Sequence, residues 1–114
     1  MLPAAIPLIV YILAAIGAVT VIAAITVVIV EFGPHIYAWL KKRMNNMEVQ
    51  HAFVGFKDKL QNAPVRNVGL KSSILEGIYD ESTDSITDAR EIKYKDLDKK
   101  TKEVLGNEPL VVLE

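Results

Sequence analysis

In the first third of the chain the hydrophobic positions follow one another without a charged interruption. Leu8 to Val30 is a run of 23 residues with no Asp, Glu, Lys, Arg or His. A helix of that length rises roughly 34 Å, enough to cross a hydrocarbon core of about 30 Å with a modest tilt. The run therefore predicts a single transmembrane helix, with a helix buried inside a filament or other protein assembly as the alternative. Within it Ala14, Gly17, Ala18, Thr20 and Ala24 fall along much the same side and form the expected helix-packing face. The β-branched residues from Val19 to Ile29 would then meet lipid or partner chains. Pro3 and Pro7 suit a first helical turn. No basic leader precedes the run, and its apolar stretch is too long for a signal peptide, so the segment is expected to be retained.

Beyond Val30 the period becomes amphipathic. Ile36, Trp39, Leu40, Met44 and Met47 recur at helical spacing opposite Lys41, Lys42, Arg43, Asn45 and Asn46. A second register, Val49, Phe53, Phe56 and Leu60, continues to about Gln61, and Asn62-Ala63-Pro64 ends it because a residue before proline avoids helical geometry. Residues 35–62 are thus expected to be a basic juxtamembrane stalk helix. Its stripe of Val49, Phe53, Phe56 and Leu60 would need cover from lipid, from the rest of the chain or from another subunit. Glu31, Tyr37, Trp39, Lys41, Lys42 and Arg43 are the residue types of a membrane interface, the basic triplet attracting anionic lipid.

Residues 63–73 show little period and read as a linker. Ile74–Tyr79 then predicts a strand, Asp80–Ser85 a turn, and Ile86–Tyr94 a second strand in which Ile86, Arg90, Ile92 and Tyr94 alternate onto one face. Asp96 or Asp98 can cap a short helix carrying Leu97, Thr101, Val104 and Leu105, with Gly106 as its stop. Pro109–Leu113 predicts a third strand. The fold class expected is an α+β membrane protein. Its parts are a transmembrane helix with flanks (1–34), a stalk (35–62), a linker (63–73) and a small acidic ββαβ domain (74–114).

Charge adds a direction. The chain carries net −1 overall, which argues against a dedicated nucleic-acid partner. Residues 35–71 hold seven basic and two acidic side chains, whereas residues 72–114 hold six basic and eleven acidic. With Lys and Arg only on the C-terminal side of the run, the N-terminus is expected outside and the C-terminus in the cytoplasm. The acidic part of one subunit could also meet the basic part of another. Cysteine is absent and only two histidines occur, so there is no thiol chemistry and little basis for a histidine metal site.

Candidate chemistry is sparse. Glu31 and His35 could form a pH-responsive pair. Asp80, Ser82, Asp84, Asp88 and Glu91 imitate a calcium loop, but position six is Ser85 instead of glycine and the flanks read as strands; a hydrated, exposed acidic hairpin turn is the favoured explanation. No phosphate loop, metalloprotease helix or nucleophile elbow is present. The expectation is a non-enzymatic protein without cofactor or small-molecule substrate, self-associating in a lipid bilayer as a structural or scaffolding subunit. Alternatives are an accessory subunit docking its cytoplasmic domain on a larger transporter, enzyme or secretion complex, and a holin-like pore former.

Overall fold

The uncharged run divides into two elements. In the computed structural model, which describes residues 8–16, 23–56 and 72–113, Leu8–Ile16 is helix α1 and Ala23–Val30 is strand β1. Ile25 to Val30 is an unbroken series of β-branched residues; such side chains are stiff at χ1 and fit a pleated surface better than a helix. Among the described residues no helix is long and apolar enough to cross a membrane. The transmembrane span Leu8–Val30 and the single-pass localisation with its N-out orientation are therefore corrected. Hydropathy alone does not separate a spanning helix from a helix and strand that share one apolar run.

A π-helical turn, Phe32–Tyr37, leads from β1 into helix α2, Ala38–Arg43. Strand β2 is Gln50–Phe56, β3 Ser72–Asp80 and β4 Ser85–Leu97; helix α3, Lys99–Leu105, precedes β5, Leu110–Leu113. The five strands form one sheet in the order β1-β4-β3-β2-β5. β1 pairs parallel with β4, Ala23 beside Arg90 and Val30 beside Leu97, and every other pairing is antiparallel. β1 and β2 consequently run the same way, and the π turn with α2 is the connection between them. The expected stalk helix is corrected here: helix stops at Arg43, and Gln50–Phe56 is an inner strand with β3 on one side and β5 on the other. Phe53 and Phe56 are three residues apart, which suits a helical stripe, yet the strand alternation of Ala52 and Val54 against Phe53 is what the sheet uses.

Each face of the sheet has its own core. Under α2 and α3 lie Val30, Ile36, Leu40, Ile74, Ile78, Ile92 and Leu105 with their neighbours; under α1, Ile12 and Ile16 pack on Phe53, Leu75, Tyr79 and Leu110. The strand–turn–strand–helix–strand order of residues 74–114 is present. It is no separate ββαβ domain, however, because β4 is completed by β1 and β5 by β2. The stretch 63–71 of the expected linker lies outside the described residues, and Ser72 and Ser73 belong to β3.

Two details fix the β3–β4 hairpin. Ile78 pairs with Asp88 but Tyr79 with Ile86, so Thr87 is an extra residue on β4. This bulge turns Ile86 toward the α1 core, away from Ile92 and Tyr94, which the alternation had placed beside it. Gly77 lies where a Cβ would sit 2.6 Å from the Asp88 carbonyl oxygen and 2.8 Å from the Phe53 ring. Asp84 closes the turn with φ 49°, a conformation that Asp tolerates better than most residues.

Candidate functional site: an open strand edge and a buried ionic cluster

β1 stands at one edge of the sheet, so one side of its backbone pairs with β4 and the other with no described strand. Proteins ordinarily guard such an edge with charge, proline or a bulge. β1 reads Ala-Ala-Ile-Thr-Val-Val-Ile-Val and has none of these. Val28 is 68 % exposed and Ile29 50 %. α1, from the same uncharged run, buries Ile12 and Ile16 but turns Val10 and Leu13 outward. The opposite edge, β5, has only four residues and follows Pro109.

The expected helix-packing residues do not gather on one helix. Ala14 is exposed on α1 and Ala24 is exposed on β1, while Gly17, Ala18 and Thr20 lie outside the described residues. The expected stalk contact is likewise divided. Phe53 is fully buried beneath α1, Val49 and Phe56 are half-buried, and Leu60 lies outside the described residues. Glu31 and His35 do meet, but through the backbone: the Glu31 N–H donates to His35 Nδ1 at 2.8 Å. That bond closes the first turn of the π helix and leaves the Glu31 carboxylate out of it.

Several of the residues expected at a membrane interface belong to a ladder of rings and cations along the π turn and α2. The Phe32 and Tyr37 rings stack at 6.5 Å, with Lys100 beside the first at 5.9 Å and Lys41 beside the second at 5.8 Å. Arg43 lies 4.1 Å from the Trp39 ring centre and Arg90, from β4, 5.0 Å. Lys42 is exposed nearby.

Arg90 leads to a group that periodicity passes over. Its Nε donates to Glu76 Oε1 at 2.5 Å, and its Nη2 donates to the His35 carbonyl in the π turn. Glu76 sits in the middle of β3 between Ile74 and Ile78 and is completely buried. Its second oxygen, Oε2, has no hydrogen-bond partner among the described residues. Burial pushes the carboxyl up to about 7, against the opposing pull of the Arg90 hydrogen bond and of the Arg90 and Arg43 charges. The available sequence signal was a lone Glu within Ile-Leu-Glu-Gly-Ile, followed in the next strand by one Arg on the same face.

The calcium imitation does not close. Asp80 Oδ1 accepts from the Ser82 backbone and hydroxyl, and those bonds hold its carboxyl below the usual range, the hydroxyl most of all. Asp84 instead accepts from the Tyr79 hydroxyl, whose proton is held more tightly than usual by burial and then by that bond. Glu91 lies along β4 opposite Leu75, well beyond the turn. Among the described residues no group of three or more His, Asp or Glu side chains is placed to hold a metal.

The class these elements define is a small α+β domain with a five-stranded mixed sheet and helices on both faces. No protein-family model, curated protein or solved structure matches the chain.

Proposed function

We propose that the protein is a non-catalytic, self-associating structural domain whose β1 edge pairs with β1 of a second copy. The observation that carries this is the undefended edge itself: eight residues without charge, proline or bulge, with Val28 and Ile29 exposed. Backbone N–H and C=O groups on such an edge are a template for another strand. A charged partner finds no complement on β1, whereas a second β1 is equally neutral and apolar. Antiparallel β1–β1 pairing is related by a two-fold axis, so both partners use one surface and the assembly closes at two copies. The opposite edge is too short to continue the sheet in the same manner. Burying an exposed Val or Ile contributes about 1.5–3 kcal/mol per side chain, and both copies supply them.

The test is the solution mass against the 12.6 kDa chain. Wild-type protein is expected at twice that mass, and the double substitution Val28→Lys, Ile29→Lys at the single-chain mass. Both side chains project into solvent, so circular dichroism and thermal unfolding should report an unchanged fold for the variant. A wild-type protein that stays at the single-chain mass at high concentration, or a variant that still dimerises, sinks the proposal.

A further inference from the structure

Glu76 in the middle of β3 is linked through Arg90 of β4 to the π turn that crosses the sheet. Among the described residues Glu76 is the only completely buried carboxylate, and one of its oxygens finds no partner there. Arg90 is its link outward, 12 % exposed, with one arm on Glu76 and the other on the His35 carbonyl. Arg90 and Arg43 both lie against Trp39, so α2 reaches this link through one ring. Among the described residues, the charged groups facing Glu76 are Arg90 from β4 and Arg43 from α2. β2 sets Val54 opposite it. From the π turn comes a backbone carbonyl, since the His35 ring is engaged with the Glu31 N–H.

We propose that Glu76 is a proton-operated latch: with its proton in place the π turn and α2 lie closed on the sheet, and loss of the proton loosens them so that water reaches Oε2.

The physical reason is a balance of solvation. A neutral carboxyl tolerates one unpartnered oxygen in an apolar core far better than a carboxylate does, because the charged form loses much more hydration. A single arginine already shared with a backbone carbonyl does not fully replace that water. The cheapest route to hydration is to lift the shortest cover. α2 has six residues, and its entry is a π-helical turn, a rare geometry found frequently at functional sites. The carboxyl titrates at about 7 when closed and at an ordinary 4.5 when hydrated. Between those limits each unit of pH therefore favours the open form by up to about tenfold.

Amide hydrogen exchange on the full-length protein tests the latch. The amides of Ala38 and Met44, bonded to the Gly33 and Leu40 carbonyls, report on α2. Their protection factors, corrected for the intrinsic pH dependence of exchange, should fall by up to about tenfold per unit from pH ~5 to ~7 and level off above. Glu76→Gln, which keeps an acceptor for Arg90 but cannot ionise, should abolish the slope. Protection that is flat in the wild type, or slopes equally in Glu76→Gln, overturns the proposal. A carbon-detected titration of the Glu76 carboxyl in the wild type gives an answer independent of any variant. A midpoint near 7 supports the latch and an ordinary carboxylate midpoint overturns it.

Discussion

At the scale of single residues the sheet depends on side chains that are absent as much as on those present. Gly77 is required by proximity: an added methyl would overlap the Asp88 carbonyl oxygen and the Phe53 ring together. The carbonyl belongs to the neighbouring strand and cannot swing aside. Gly77→Ala is expected to destabilise the domain by about 1–3 kcal/mol, the usual cost of overpacking. Urea unfolding would show this as a lower midpoint with unchanged slope, and an unchanged midpoint would mean that the hairpin opens at that point without cost. Glu76 and Arg90 show what residue-level pattern reading loses. Alternation places both on one face of their strands, but burial and the missing partner of Oε2 depend on α2 lying above them.

Among the elements, Asp98 joins more than its own helix. Its Oδ1 accepts from the Thr101 N–H at 2.8 Å, the standard use of an N-cap. Its Oδ2 accepts from the Phe32 N–H at 3.1 Å and its own N–H donates to the Val30 carbonyl, so one residue ties α3 to the exit of β1. Asp98→Ala should cost about 1–2 kcal/mol and raise exchange at both Thr101 and Phe32, whereas Asp98→Asn should retain most of the stability. Loss of protection at Thr101 alone would show that the β1 exit is held without Asp98. The cap and the stop at Gly106, φ 52°, are local chemistry and legible as such. β1 and β2 are elements whose identity is not local. β1 is a strand because β4 offers it a partner, and β2 is one because it fits between β3 and β5.

For the whole molecule, pH is the condition to which stability answers. In the unfolded chain Glu76 titrates at its ordinary 4.5, and in the folded protein at about 7. The fold therefore binds the proton more tightly than the unfolded state does. Stability from this group is highest below 4.5, declines as pH rises from 4.5 to 7, and is level above. The difference of about 2.5 pH units corresponds to roughly 3 kcal/mol. Denaturant unfolding across that window should show the decline in the wild type and a much flatter profile in Glu76→Gln. A wild-type stability that rises across the window would contradict the assignment.

The amino-acid sequence by itself determined the features that rest on neighbours in the chain. The hairpin from Ile74 to Tyr94, the capped helix ending at Gly106 and the strand after Pro109 follow from alternation, turn residues and caps acting over a few positions. The tertiary structure alone decided the fate of the uncharged run, because an apolar segment is equally content in lipid, in a helix pair or beside another strand. It decided as well that Gln50–Phe56 is a strand, that Thr87 bulges and turns Ile86 to the other core, and that a glutamate is sealed beneath α2. Each of these outcomes is set by pairing and burial between separate elements, and local sequence period carries no record of them.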